Sequence, residues 1–348
     1  MRAPRPSTLR IPRSPRRLLV AAASAVAAVG VAGCALPPPP GTAPLRYRDA
    51  IFPGLTITRG QVYGSAPDLT GTPVTLTLDM YRPTGDTQTR RPAIVLVHGG
   101  GFTGGTAANG AMVTMATAFA QRGYVAVSIN YRLLNDGEKC AGQDPPSATC
   151  LTAALAAQHD AQAAVRFLRA NATTYGVDPT RIAIGGGSAG AATALAVAVH
   201  SDDPGSSGNP GPSSKVGAAI SISAEIPHSL APALFDAGDS PILMFNGTAD
   251  PVVPYALGAQ TASDLLAAGI PTIFEPLVGG GHVPMRQFGD TIVTQSVYFA
   301  YDFLDLAHAP GQPAAAGRAF DAQMSRYARR HPDLARRFAG LGRLAHRR

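Results

Sequence analysis

Residues 50–308 alternate between short apolar segments rich in β-branched residues and longer segments rich in Ala and Leu. The apolar segments predict eight strands, at 55–58, 74–80, 93–98, 124–130, 181–185, 216–223, 241–245 and 272–278. The segments between them predict helices over 107–122, 151–175, 188–200, 255–268 and 291–306. The middle strands are continuously apolar, as expected where helices cover both faces of a sheet. This alternation predicts one α/β domain with an eight-stranded, mostly parallel sheet and helices on both faces.

Charge is distributed unevenly along the 348 residues. The formal net charge is +7, but residues 1–34 carry +6 and residues 311–348 carry +7. Residues 35–310 therefore carry −6. A mildly acidic body argues against nucleic-acid binding by the domain.

The N-terminal residues resemble an export signal. An Arg-rich stretch precedes sixteen apolar or small residues, which is short for a membrane span and suits the apolar region of a signal peptide. The end of this segment, Val31 to Cys34, resembles the lipobox of bacterial lipoproteins, and a weak twin-arginine pattern precedes it. We expect a signal peptide over 1–33, a lipidated Cys34 with a Pro-rich linker over 34–49, and an exported protein anchored to the outer side of the cell membrane.

Two further cysteines, Cys140 and Cys150, remain if Cys34 carries lipid. In an oxidising compartment they are expected to form a disulfide that closes a short loop. Two thiols make a metal site improbable on sequence grounds, and no metal or organic cofactor is expected.

A glycine-rich turn follows the fifth predicted strand. Residues 186–190 read Gly-Gly-Ser-Ala-Gly and lead into an Ala-rich helix, which is the strand–turn–helix context of a Gly-x-Ser-x-Gly nucleophile motif with Ser188 as nucleophile. The same stretch fits the dinucleotide pattern Gly-x-Gly-x-x-Gly. Its position at the fifth strand, and the missing acidic residue about twenty residues on, favour the nucleophile.

A second glycine run follows the third predicted strand, where residues 98–102 read His-Gly-Gly-Gly-Phe. Acyl transfer needs backbone N–H donors aimed at the oxyanion of a tetrahedral intermediate, and glycines allow close backbone approach. Together with a nucleophile motif, this run predicts an oxyanion hole made by the N–H groups of Gly100, Gly101 and Ala189.

A base and an orienting acid should follow the nucleophile in the order acid, then histidine. Asp250 and His282 each lie in the loop that follows a predicted strand, at the sheet edge where sites of α/β proteins assemble. Other residues could fill the roles: His228, His308 and His200 for the base, and Asp239, Asp264 and Glu275 for the acid. His228, in the loop after the sixth strand, is the strongest alternative base.

With these motifs the chain resembles the α/β-hydrolase superfamily, in particular the His-Gly-Gly-Gly carboxylesterases related to hormone-sensitive lipase. The resemblance spans 50–308 and includes the segments 130–133 and 176–179. It implies Ser188, Asp250 and His282 as the catalytic triad, while Tyr131, Arg132 and Asp178 are expected to be structural. The segment ahead of the first strand and the insertion at 225–239 are short, so little or no cap is expected.

The resemblance implies an exported serine carboxylesterase acting on short-chain acyl esters, free or linked to polysaccharide. With no cap, only Phe102 and residues 225–239 are expected to add bulk near the nucleophile. A peptidase or acyltransferase on the same triad, or a non-catalytic binding protein on this scaffold, remain alternatives. Residues 309–348 are expected to be a basic appendage, and within 318–348 apolar and Arg residues recur at helical spacing on opposite faces. This pattern suits an anionic membrane surface, and a solvated Arg-rich tail is the alternative.

Overall fold

The computed structural model describes residues 44–200 and 205–311. Cys34, the expected signal peptide, most of the linker and nearly all of the C-terminal appendage lie outside the described residues. Among the helices in the described ranges, none combines the length and apolar character needed to cross a membrane.

Eight strands form a single sheet in the order β1-β2-β4-β3-β5-β6-β7-β8. Their bounds are β1 Leu55–Pro67, β2 Pro73–Pro83, β3 Arg91–Val97, β4 Val125–Ile129, β5 Val177–Gly187, β6 Ala218–Ile222, β7 Ile242–Gly247 and β8 Thr272–Leu277. Strand β2 runs antiparallel to both of its neighbours. From β4 to β8 all neighbouring strands are parallel. The predicted eight-stranded, mostly parallel sheet is confirmed.

Helices cover both faces of the sheet. Their bounds are α1 Gly110–Ala120, α2 Ala148–Ala170, α3 Ala172–Tyr175, α4 Ala189–Val199, α5 Ala231–Leu234, α6 Tyr255–Ala267 and α7 Met285–Phe303. Buried residues of α2, α4 and α6 belong to one apolar cluster, and those of α1 and α7 belong to another. The two clusters take alternate residues of the central strands, such as Val95 and Leu96 of β3. Burial on both faces explains why these strands are apolar throughout.

Several element boundaries differ from the sequence predictions, among them the start of β5 at Val177 instead of Arg181. Strand β1 extends to Pro67 instead of Thr58, because its polar and glycine-containing second half pairs with β2 at the sheet edge. The helix predicted to start at 291 begins at Met285, directly after Pro284. The helix predicted over 151–175 begins at Ala148, where the Ser147 side chain accepts a hydrogen bond from the Cys150 N–H.

The N-terminal limit of the domain also differs from the prediction, which placed 44–49 in a linker. Tyr47 is fully buried, and its backbone N–H donates to the Arg122 carbonyl at 2.8 Å. Its hydroxyl donates to the carbonyl of Pro310. An aromatic side chain buried in this way belongs to the core, so the packed domain includes residues on both sides of the predicted 50–308.

Candidate active site

Ser188 occupies a sharp turn between β5 and α4. Its φ of 55° and ψ of −126° lie outside the helical and extended regions. A Cβ atom on Gly186 would come within 2.2 Å of the Gly190 carbonyl oxygen, and one on Gly190 would come within 2.1 Å of the Val97 carbonyl oxygen. The turn therefore requires glycine at both flanking positions, and it holds the serine in a strained backbone of the kind found at nucleophile elbows.

His282 and Asp250 lie beside this serine. His282 Nε2 is 2.8 Å from Ser188 Oγ, and His282 Nδ1 is 2.9 Å from Asp250 Oδ2. The Asp250 side chain is fully buried, whereas that of His282 is 22% exposed. The other carboxylate oxygen of Asp250, Oδ1, accepts hydrogen bonds from the N–H groups of Val252 and Val253 at 2.8 and 3.0 Å. The acid is fixed by its own loop and can hold the imidazole in one orientation.

The glycine run after β3 lies against the serine. Gly100 and Gly101 line one cavity together with Ser188 and Ala189. Ala189 is the first residue of α4, and the first N–H groups of a helix have no partner within that helix. The three predicted oxyanion donors therefore surround the same space as the serine side chain.

His98, which opens this run, has a structural environment. It is buried, its Nδ1 lies 2.7 Å from the Gly99 carbonyl, and its ring stacks on Tyr131 with centroids 4.4 Å apart. Burial lowers the pKa of His98. The Tyr131 hydroxyl donates to the His98 carbonyl at 2.9 Å, so Tyr131 supports the backbone of the glycine run.

Arg132 and Asp178 also make structural contacts. The buried Arg132 pairs with the carboxylate of Asp160 at 2.9 Å. Asp178 accepts hydrogen bonds from Thr180 and pairs with Arg181. Both residues brace the ends of strands, and neither lines the cavity beside Ser188.

The alternative bases and acids have other partners. His228, with a side chain 63% exposed, pairs with Asp264 at 2.8 Å. Hydrogen bonding to that acid raises the pKa of His228. His308 pairs with Asp305, and His200 ends α4. Asp239 precedes β7 and therefore lies at the sheet edge opposite the serine, while Glu275 lies within β8.

Ser223 is a residue near the site that the sequence analysis missed. It directly follows β6, is fully buried, and accepts a hydrogen bond from the N–H of Val283 at 3.0 Å. Because Val283 follows His282, this contact anchors the loop that carries the imidazole. A serine after an apolar strand has no distinctive spacing, so only the strand position could have indicated it.

The cavity beside Ser188 has a volume of about 1160 Å³. Its lining is mostly apolar and includes residues from the glycine run after β3, the loop after β4, α2, α4 and the segment after β6: Phe102, Cys140, Cys150, Leu151, Leu155, Ala192, Ala196, Ile226, Leu230 and Leu234. The expectation that only Phe102 and 225–239 supply bulk is therefore wrong. The first turns of α2 form another wall, because the loop after β4 places them there.

Two carboxyl groups, those of Glu138 and Glu225, line this cavity. Burial raises the pKa of Glu225, and its Oε1 accepts a hydrogen bond from the Gly142 N–H at 2.5 Å. The loop that contains Gly142 is closed by a disulfide between Cys140 and Cys150. Within the described ranges, no group of three or more His, Cys, Asp or Glu side chains is arranged to hold a metal ion.

Two family models match the chain. The phospholipase/carboxylesterase family matches residues 157–306, and the family BD-FAE matches residues 78–226. Among curated proteins, gut esterase 1 of Caenorhabditis briggsae is 34% identical over 119 residues, 34% of this chain. Neuroligin-like protein glit-1 of Caenorhabditis elegans is 32% identical over 131 residues, 37% of this chain. The chain spans only 20% and 16% of the lengths of these two relatives.

Solved structures match over a larger share. Esterase 2 of Thermogutta terrifontis in a butyrate-bound form has a TM-score of 0.55 and 25% identity, covering 75% of this chain and 97% of that one. The same esterase phosphorylated by paraoxon has a TM-score of 0.51 and 28% identity, covering 74% and 92%. The chain has the α/β-hydrolase fold. Carboxylesterases are among the proteins it resembles.

Proposed function

We propose that this protein is a serine carboxylesterase with Ser188 as nucleophile, His282 as base and Asp250 as orienting acid. The observation that carries the proposal is the continuous hydrogen-bonded series from Ser188 Oγ through His282 to Asp250, with distances of 2.8 and 2.9 Å. For this chemistry the base must be within hydrogen-bond reach of the nucleophile on one side and of the orienting acid on the other.

In the proposed reaction Ser188 Oγ attacks the ester carbonyl while His282 Nε2 takes its proton. The oxyanion of the tetrahedral intermediate accepts hydrogen bonds from the N–H groups of Gly100, Gly101 and Ala189. His282 then gives the proton to the leaving alcohol. In deacylation His282 takes a proton from the water that attacks the acyl-enzyme, and it returns this proton to Ser188 Oγ as the carboxylic acid leaves. Asp250 selects the imidazole tautomer and stabilises its cation.

The proposed substrates carry a short acyl group, and the large apolar cavity takes the alcohol. Structures of the similar esterase 2 of Thermogutta terrifontis have butyrate or propionate bound, which supports a short acyl group. The cavity of about 1160 Å³ exceeds the about 300–1,000 Å³ of ordinary small-molecule sites. A polysaccharide-linked ester would use this space on the alcohol side.

The proposal is tested with p-nitrophenyl acetate and butyrate, alongside an aminoacyl-amide, an acetylated xylan and an alcohol acceptor. Ester hydrolysis should be the main activity, and kcat should fall about 10⁶-fold in Ser188→Ala and nearly as far in His282→Ala. His228→Ala should retain wild-type kcat. Faster amide cleavage would indicate a peptidase, and faster transfer to the alcohol would indicate an acyltransferase.

If no ester is hydrolysed, a fluorophosphonate probe shows whether the protein lacks a reactive serine or whether its substrate was not among those tested. The probe should label the wild type at Ser188 and leave Ser188→Ala unlabelled. A folded wild type that neither labels nor turns over any ester would indicate a binding protein on this scaffold and would reject the esterase proposal.

We also propose export, with lipid attached to Cys34 and the basic appendage at an anionic membrane surface. The supporting features are the apolar segment that ends at Cys34 and the +7 charge of residues 311–348. The wild type should be recovered in the membrane fraction and Cys34→Ala in the soluble fraction. Truncation after Gly317 should leave ester turnover unchanged and weaken binding to phosphatidylglycerol vesicles.

A further inference from the structure

Asn135, in the loop after β4, hydrogen-bonds to the loop proposed to form the oxyanion hole. Its Nδ2 donates to the Gly101 carbonyl at 2.8 Å, and its backbone N–H donates to the Phe102 carbonyl at 3.2 Å. Two consecutive carbonyls of the glycine run are therefore held by a single residue. The sequence analysis assigned Asn135 no role.

The glycine run depends on such external contacts because its backbone is unusual. Gly100, Gly101 and Phe102 have φ values of 125°, 64° and 64°, so three consecutive residues lie in the left-handed half of conformational space. Phe102 is the most strained of the three, since a residue with a Cβ rarely adopts this conformation. A strained segment persists only where its surroundings determine it.

The Asn135 side chain is nine-tenths buried and its hydrogen-bonding capacity is fully used. Besides the Gly101 carbonyl, Nδ2 donates to the Glu138 carbonyl at 2.8 Å. Oδ1 accepts from the N–H groups of Gly137 and Glu138 at 3.2 and 3.0 Å. An amide has two donor hydrogens and about two acceptor sites, so no other neutral side chain of this size would fit the same four partners.

The loop that carries Asn135 is itself anchored to α2. Asn135 Nδ2 lies 3.5 Å from Cys140 Sγ, and the Cys140–Cys150 disulfide joins this loop to the first turn of α2. Gln143 closes the same loop by donating to Glu138 Oε1 and to the Lys139 carbonyl at 2.7 and 2.9 Å. The loop thus links the disulfide to the glycine run, and Asn135 is the point of contact.

We infer that Asn135 is a positioning residue for the oxyanion hole: it holds the Gly101 and Phe102 carbonyls so that the Gly100 and Gly101 N–H groups face the reacting oxygen. This inference rests on the proposed esterase function. Asn135 touches neither substrate nor reacting atoms, and acts through the backbone of the glycine run. Loss of the hydrogen bonds from Asn135 should weaken binding of the transition state more than binding of the substrate.

The test compares Asn135→Ala and Asn135→Asp with Gln143→Ala as the matched control. Asn135→Asp is the sharper variant, because it keeps the size and the acceptor oxygen but turns a donor toward two carbonyls into an acceptor. Both variants should lose about 10- to 100-fold in kcat for p-nitrophenyl butyrate with KM within twofold of wild type. Gln143→Ala loosens the same loop without contacting Gly101 or Phe102, and should keep wild-type kcat.

The affinity for butylboronic acid is a second measurement, which should not change if Asn135 only stabilises the fold. Ser188 Oγ adds to boron, His282 takes the hydroxyl proton, and the adduct is tetrahedral and anionic like the intermediate. Its affinity should fall in the Asn135 variants by the same factor as kcat, while Gln143→Ala binds it as the wild type does. Thermal unfolding of each variant separates folded protein with altered turnover from unfolded protein.

Several outcomes would overturn the inference. Folded Asn135→Asp with wild-type kcat and boronate affinity would show that the glycine run positions itself. Equal losses in Gln143→Ala would show that the effect belongs to the whole loop. If Asn135→Ala is unfolded, Asn135→Asp decides the matter. A wild type that hydrolyses no ester would instead reject the proposed function, so the two failures are distinguishable.

Discussion

The side-chain oxygen of Ser223 accepts a hydrogen bond from the backbone N–H of Val283 at 3.0 Å. Ser223 directly follows β6, while Val283 follows His282 and has a φ of 45° that a β-branched residue rarely adopts. A neighbouring strand therefore holds the backbone immediately after the imidazole. This contact joins parts of the chain that are 60 residues apart.

Ser223→Ala should lower kcat about 10-fold, because the loop carrying His282 loses its anchor when the part-buried Val283 N–H loses its partner. The free energy of unfolding should fall by about 0.5–1.5 kcal/mol, the net contribution of one hydrogen bond. Ser221→Ala is the matched control, since Ser221 lies buried on the same strand with an Oγ that has no hydrogen-bond partner within the described residues. Esterase assays and urea unfolding of both variants test this, and equal kcat in Ser223→Ala and wild type would contradict it.

The Cys140–Cys150 disulfide should stabilise the protein by restricting the unfolded chain. The two residues are 10 apart in sequence, and a loop of this length predicts up to about 3 kcal/mol in the chain-entropy model. Unfolding with and without reductant measures the difference. The double variant Cys140→Ser, Cys150→Ala should match the reduced wild type and should not respond to reductant. Free thiols in the unfolded, non-reduced wild type would refute the pairing in solution.

Substrate preference should differ between the two sides of the ester. With a p-nitrophenyl leaving group, kcat/KM should peak between acetate and butyrate. With acetyl fixed, each methylene added to the alcohol should raise kcat/KM up to about fourfold while it is buried against the apolar wall, since burial of one CH₂ contributes about 0.8 kcal/mol. Two matched ester series measure both trends. If kcat/KM instead rises with acyl length up to decanoate, the cavity takes the acyl group and not the alcohol.

Asp239 should make stability depend on pH. Burial raises the pKa of Asp239 from 3.8 to about 6, although the hydrogen bond from the Asp236 N–H acts in the opposite direction. The folded protein therefore holds this proton more tightly than the unfolded chain, so stability falls as pH rises from about 4 to about 6 and stays lower above that range.

Asp239→Asn cannot ionise and keeps an oxygen to accept the Asp236 N–H, which donates to Asp239 Oδ2 at 2.8 Å in the wild type. The variant should gain stability relative to wild type at pH 7 and little at pH 4. Unfolding midpoints at pH 4, 5 and 7 measure this, with the exposed Asp136→Asn as control. An identical pH dependence in wild type and Asp239→Asn would contradict the prediction.

The sequence alone determined the features that local chemistry encodes. Continuous apolar runs such as 94–97 predicted the buried parallel strands, because a strand covered on both faces has no polar side. The tight turn at Ser188 was readable because only residues with little or no side chain fit around it. Strand ends also limited where Asp250 and His282 could lie.

Tertiary structure decided what depends on contacts between distant segments. Several histidines follow Ser188 in the sequence, and only the folded chain places His282, rather than His228, next to Ser188. Asn135 and Ser223 carry no local signal, since their roles come from the backbone groups that face them. The same holds for the paired edge of β1 and the α2 wall of the cavity. Crossover connections bring these segments together, and residue spacing along the chain does not specify which side chains meet there.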